Sequence, residues 1–189
     1  MLQQREFREG TTPVYAISSD FCRIFAEDMN GLYLLSWLLT ADPKKAEECF
    51  VSGLGDCVED NRVFKEWARS WARRAIVRNA IRALRPSPEH DGTVPAMVPV
   101  AGRDLAVDGK LALGAILGLD KFERFVLVLS VLERYSDQDC RAMLGCSRQE
   151  LVWARSRALE QVAAVSADYA LNAASEEFPD APEWMGKSA

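Results

Sequence analysis

The stretch Ser136-Asp-Gln-Asp-Cys-Arg-Ala-Met-Leu-Gly145-Cys-Ser147-Arg-Gln-Glu150 decides the fold. It holds two helix-start signals with a glycine between them. Ser136-Asp-Gln-Asp139 predicts a helix of only about two turns ending at Gly145. Ser147-Arg-Gln-Glu150 is a capping box and predicts a longer helix through roughly Ala170. A short helix, a glycine turn and a long capped helix have the layout of a helix-turn-helix. The first helix braces the second at a steep angle, and Gly145 keeps the turn tight. The N-terminus of the second can then reach base edges in a major groove. Ser147, Arg148 and Gln149 lead it; arginine suits guanine edges and glutamine adenine edges, and the helix N-terminus favours a phosphate.

Working outward, the chain reads as all-α. Asp120-Lys-Phe-Glu123 is a second capping box and predicts a helix to about Glu133, with Phe122, Phe125, Val126, Leu129 and Leu132 at helical spacing. Leu111–Leu117 is a short apolar helix. Between residues 86 and 110 no period survives: Pro86, Pro88, Pro95, Pro99, Gly92 and Gly102 make it a semi-stiff linker. Upstream, Ser18-Ser19-Asp20 caps a helix through about Met29, with Phe21, Ile24, Phe25 and Met29 on one stripe. Asn30-Gly31 signals a break, and Leu32–Leu39 is apolar nearly all round, as in a buried helix. Asp42 and Pro43 open the next helix, with Ala46, Phe50, Leu54, Cys57 and Val58 at helical spacing. Arg62–Leu84 is a basic helix whose apolar members are Phe64, Trp67, Ala68, Trp71, Ala75 and Leu84. The expectation is two small helical domains, 1–85 and 111–171, joined by the linker 86–110, with a flexible acidic tail, 172–189.

Composition bounds the function. At 189 residues, 49% hydrophobic and 27% charged, the chain is too apolar for disorder. No apolar run approaches the roughly 20 residues that span a bilayer. The Met1-Leu-Gln-Gln-Arg5 start has no apolar core of a secretory signal, and five cysteines without a C-x-x-C pair point to reduced thiols in the cytoplasm. With a single histidine, His90, and no nucleophile–base pair, metal constellation or phosphate loop, catalytic residues, cofactors and metals are not expected. The net charge of −5 is unevenly spread. Residues 61–85 carry 8 basic and 1 acidic side chains, net +7, whereas residues 1–60 carry 5 and 11, net −6. A cationic patch inside an acidic protein is a localised footprint for a polyanion, or simply a solvated helix face.

Both blocks together resemble bacterial RNA polymerase sigma factors, specifically the short two-domain extracytoplasmic-function type. Leu38-Leu39-Thr40-Ala41-Asp42 followed by Ala46-Glu47-Glu48 is similar to the family's L-x-T-G-D…A-E-D stretch. Phe64-Lys-Glu-Trp67 with Trp71-Ala72-Arg73 is similar to its F-x-x-W-L…I-A-R-N helix. Phe125-Val-Leu-Val-Leu129, Leu132-Glu133, Tyr135-Ser136 and Leu144-Gly145-Cys146-Ser147 follow its V-L-x-L…L-E-G-x-S…L-G-I-S pattern, and Arg157-Ala158-Leu159 closes it. The resemblance implies a transcription initiation factor that binds core RNA polymerase and promoter DNA, with no membrane and no small-molecule substrate, and an anti-sigma protein as a further partner. Carried over by position, the polymerase surface falls on Asp42, Glu47 and Glu48. Strand opening falls on Asn61, Arg62, Lys65, Trp67, Arg69, Arg73, Arg74 and Arg78, and upstream recognition on Ser147, Arg148, Gln149, Arg155 and Arg157. Melted DNA is held by positive charge and aromatic faces, a stacked base contributing about 1–3 kcal/mol.

A second reading is a sigma-like protein-interaction adaptor without promoter binding. It rests on Val51-Ser52 where the family has a Gln-Glu pair, on Arg141 where it has a small residue, and on Val152, Trp153 and Ala154 where it has cations. Individual residues also have plainer readings. Trp67 and Trp71, four apart, read as core; Trp153 reads equally as core or surface. Cys140 and Cys146 read as buried thiols, and His90 as a solvated linker residue. The tail from Glu176, with its four acids and Trp184, reads as disordered or as folding back on the basic helix to compete with DNA.

Overall fold

The computed structural model describes residues 15–59, 62–88 and 107–176. Among them are eight α-helices and no strand. They are α1 (Ser18–Glu27), α2 (Met29–Thr40), α3 (Pro43–Glu59), α4 (Ala68–Leu84), α5 (Val107–Leu117), α6 (Lys121–Leu127), α7 (Asp137–Leu144) and α8 (Arg148–Glu176). A 3-10 turn at Lys65–Trp67 leads into α4, and a π-helical turn at Val128–Leu132 follows α6. The all-α reading holds. His90, Asn61 and residues 177–189 of the tail lie outside the described residues.

Caps set most boundaries. Asp20 closes the start of α1 from its third position, accepting the Ile17 N–H at 3.2 Å. One oxygen of the Asp42 carboxylate accepts the N–H groups of Lys44 and Lys45 at 2.9 and 3.0 Å, as its predicted N-cap role requires. Ser136 caps α7 by accepting the Asp139 N–H. The box on α8 is complete: Glu150 N–H reaches Ser147 Oγ and Ser147 N–H reaches Glu150 Oε2 at 2.7 Å. Gly145 ends α7 at φ 66°, in the left-handed region that the turn needs.

Several boundaries differ from the sequence reading. The first helix stops at Glu27, because the chain turns at Asp28 rather than at Asn30-Gly31; Met29 belongs to α2 and is exposed. The basic helix starts at Ala68, not Arg62. Phe64 is held extended by an antiparallel bridge to Tyr15, and Ala16 N–H donates to Val63 O at 2.8 Å. Asp120 caps α6 through the Phe122 N–H, and Glu123 is buried and pairs with Arg157. The helix expected to reach Glu133 leaves α geometry at Val128. The last four residues of the expected linker are helical in α5, and the first five of the expected tail are helical in α8.

The core forms where small residues let helices approach. Ala68, Ala72, Ala75 and Ala80 line the buried face of α4 with Ile76 and Val77. Gly53 of α3 lets α4 come close: an added Cβ would stand 2.7 Å from the end of the Ile76 side chain, which would have to shift. The buried stripe of α3 is Ala46, Cys49, Gly53 and Cys57, one step round from the predicted one. In α2, Leu32, Leu35, Leu38 and Leu39 are buried, and the Ser36 and Thr40 hydroxyls bond back to Leu32 O and Ser36 O. Tyr33 and Leu34 face outward, so this helix is not buried all round.

The two blocks touch. Leu117, Phe122, Phe125 and Val126 join one apolar cluster with Leu32, Leu35 and Leu39. Arg124 crosses the junction. Its side chain is buried at 3% exposure, and its guanidinium donates to Leu39 O, Leu117 O and Leu119 O at 3.3, 3.4 and 2.9 Å. Leu39 and Leu117 stand at the C-terminal ends of α2 and α5, where carbonyls lack helical partners and a cation is favoured. Burial lowers its pKa to about 10, which leaves it charged at neutral pH.

Replacing Arg124 with alanine strands buried carbonyls and opens a cavity. The expected cost is about 3 kcal/mol, read as a fall in Tm of about 6–12 °C. Arg124→Lys, which cannot span three acceptors in a plane, should recover less than half of it. Thiol labelling of the native chain should modify Cys22 and spare the buried Cys49, Cys57, Cys140 and Cys146. Burial also holds the Cys57 and Cys140 thiols up at about 12 and about 11, far from the reactive thiolate.

Candidate nucleic-acid interface

Two grooves run along α4. One, of about 520 Å³, is lined by Arg62, Val63, Phe64, Trp67, Ser70, Trp71, Arg74 and Tyr135. The other, of about 460 Å³, is lined by Trp71, Arg74, Arg78, Ile81, Arg82 and Met143. They share Trp71 and Arg74, so a run of rings, Phe64, Trp67 and Trp71, is flanked by Arg62 on one side and by Arg74 and Arg78 on the other. Tyr135 and Met143 come from the second block and form the opposite wall. The Tyr15–Phe64 bridge shapes the upper end: those two rings stack at 5.0 Å, and Trp67 meets Phe64 edge-on at 5.3 Å. Trp67 is 57% exposed, so it is not core, whereas Trp71 is half-buried against the core. The 3-10 turn explains the difference, because it rotates Trp67 away from the face that α4 buries.

The cations divide into two sets. Among the described residues, Arg62, Arg74, Arg78 and Arg148 meet no carboxylate within ion-pair distance, and Arg62, Arg78 and Arg148 are exposed. The other five expected DNA-binding cations are engaged. Lys65 pairs with Asp20 at 2.9 Å, and Arg69 pairs with Glu27. Arg73 forms a two-legged pair with Glu133, its Nε leg at 2.8 Å, and approaches Asp28 at 3.5 Å. Arg155 reaches Asp137 and Ser130, and Arg157 reaches Glu123 at 3.1 Å while lying over the Trp153 ring. The Arg69–Glu27 pair is exposed on both sides and is worth little, whereas Lys65 holds Asp20, a carboxylate only 10% exposed. Arg73 is the more enclosed cation, two-thirds buried against a carboxylate that is likewise only 10% exposed.

The helix-turn-helix presents Ser147, Arg148 and Gln149 to solvent at the start of α8. Val152 and Trp153 follow, Trp153 at 64% exposure, so this tryptophan is surface. Arg141 is exposed and does not enter the α7–α8 contact, which Cys140, Leu144 and Leu151 fill. A separate cleft of about 330 Å³ lies beside α8, lined in part by Phe122, Gln149, Trp153 and Arg157. Across the molecule, Glu47 and Glu48 are exposed on α3; Asp42 is half-buried and spends one carboxylate oxygen on its capping bonds.

Sequence reading did not assign Glu133, Tyr135, Met143 or Arg82 to the site, although Glu133 and Tyr135 stand in a stretch that it singled out. It also missed Arg124, whose signal was a lone cation inside the apolar run Phe122–Leu129. Among the described residues no cluster of His, Cys, Asp and Glu could hold a metal, and no helix is long and apolar enough to cross a membrane. Comparison with protein-family models, curated proteins and solved structures finds no match to this chain.

The Asp20–Lys65 pair ties α1 to the turn before α4. The Lys65 ammonium and the Ile17 N–H hold the Asp20 carboxyl below its ordinary value of 3.8. The folded state therefore binds this proton less readily than the unfolded state, and the stabilisation present above about pH 4 is lost as pH falls through the folded value. Acid melting curves should show that loss for the native chain. Asp20→Asn should be less stable at neutral pH and show a smaller further drop between pH 5 and about pH 3.

Proposed function

We propose that this chain is a sigma-factor-like transcription initiation factor, which binds core RNA polymerase and directs it to promoter DNA. One observation carries the reading: arginines without a carboxylate partner (Arg62, Arg74 and Arg78) flank a run of aromatic side chains (Phe64, Trp67 and Trp71) in the grooves beside α4, and a capped recognition helix stands exposed in the same chain. Arginines take the phosphates of a melted strand and the rings stack its bases. Ser147, Arg148 and Gln149 read the upstream duplex from the major groove. Glu47 and Glu48, with the free edge of Asp42, meet a basic surface of the polymerase. The polymerase supplies the chemistry; the chain acts in the cytoplasm, without catalytic residues or a cofactor. An anti-sigma protein that covers the groove would regulate it.

A second reading, a sigma-like adaptor that binds protein in place of promoter DNA, has its own support. Val152, Trp153 and Leu159 are all exposed on α8, which gives the recognition helix an apolar strip.

The test is in vitro transcription with purified core enzyme and a genomic promoter library. Promoter-dependent initiation is expected for the first reading, and its absence with stable protein capture on α8 for the second. Arg74→Ala and Arg78→Ala should each weaken promoter binding about three- to tenfold and lower the salt slope by up to about 0.9. Arg148→Ala should instead blur discrimination among upstream sequences, at about 1–3 kcal/mol per misread base. Three variants indistinguishable from the unmodified chain would sink the assignment.

A further inference from the structure

The loop Glu133–Tyr135 joins the π-helical turn to α7 and lies against α4. Tyr135 forms part of the groove wall opposite Trp71 and Arg74. Two residues earlier, the Glu133 carboxylate grips Arg73 with both oxygens. A carboxylate in two-pronged contact with a guanidinium occupies the place, and uses the donor geometry, that a phosphate would. Among the described residues, Arg73 is the one cation of the α4 set that a carboxylate of the second block pairs with.

The backbone that delivers this carboxylate is unusual. Val128–Leu132 is π-helical, with Glu133 N–H bonded to Val128 O at 2.9 Å, and Tyr135 N–H bonded to Leu129 O at 2.9 Å. Arg134 follows at φ 56°, a left-handed conformation that a non-glycine residue adopts at a cost. A π-turn holds one more residue than the α-turn it replaces. Reverting to α geometry would shift the loop by one residue and withdraw Glu133, while Phe125 and Val126 are held in α6 ahead of the turn.

We propose that the Glu133–Tyr135 loop is a built-in plug of the α4 groove, with Glu133 standing on Arg73 in place of a nucleic-acid phosphate, so that a single strand must displace the loop to bind. This rests on the nucleic-acid reading of the groove. The plug makes the free chain a weak binder despite its cationic helix and couples strand binding to a movement at the base of the helix-turn-helix.

The experiment measures affinity for a short single-stranded oligonucleotide over a salt series, on the full chain. Glu133→Gln removes the charge and keeps the shape. It is expected to bind about five- to tenfold tighter, with a salt slope steeper by about 0.7 for the added phosphate contact at Arg73. The exchange R73E/E133R restores the pair but leaves no cation on α4 at that point, and should bind no tighter than the unmodified chain. Equal affinity of the unmodified chain and Glu133→Gln overturns the plug and leaves the nucleic-acid reading standing. No binding by any form at low salt overturns that reading, and the plug falls with it. Should the substitutions unfold the chain, amide exchange on the unmodified protein decides. Saturating oligonucleotide should speed exchange of the Tyr135 N–H, and unchanged or slower exchange overturns the plug.

Discussion

A buried guanidinium organises this molecule. Arg124 sits where the ends of α2 and α5 meet α6, and its guanidinium bonds the carbonyls of Leu39, Leu117 and Leu119. Helix ends leave carbonyls without partners, and burying them bare is costly. Arg124 is planar and carries five donors, so one side chain can answer several carbonyls at once. The same cation lies under the apolar contact of Leu39 with Leu117 and Phe122. The contact between the first and second helical blocks is therefore polar at its centre and apolar around it. Slippage of α6 along α2 would strand the guanidinium, which gives the junction a definite register.

That register governs what the α4 face can do. The blocks bring Tyr135 and Met143 across from Trp71 and convert an exposed helix side into a groove. The groove keeps some arginines open and spends others on carboxylates, and the division follows from packing. Arg62 and Arg78 face solvent on the near side, whereas Arg73 lies under the second block. On the proposed reading, a strand along α4 meets open cations first and a closed one at the junction. On that reading, binding is linked to the placement of the second block through one ion pair, Arg73 with Glu133.

The local rules in the sequence were read well where they concern one helix end. Asp42, Ser136, Ser147 with Glu150, and Gly145 all act as their types and spacings require, because a cap is satisfied within four residues. Readings that depended on a distant partner went astray. Phe64 looked helical until Tyr15 paired with it, and that bridge moved the start of the basic helix to Ala68 and turned Trp67 outward. Glu123 matched a capping box, and nothing near it in the chain signalled that it is buried in a salt bridge with Arg157 of α8. The basic set had the same weakness: charge counting found the arginines and could not say which would meet Asp20, Glu27 or Glu133.

The amino-acid order alone settled that the described chain is helical, where most helices begin, and that positive charge gathers on one of them. Those properties depend on neighbours three or four positions apart, and the backbone obeys them locally. Which faces are buried, which cations stay open and how the helix-turn-helix lies against α4 were left to the fold. They depend on pairs far apart in the chain, such as Arg73 with Glu133 and Arg124 with Leu39, which become neighbours only when the core closes.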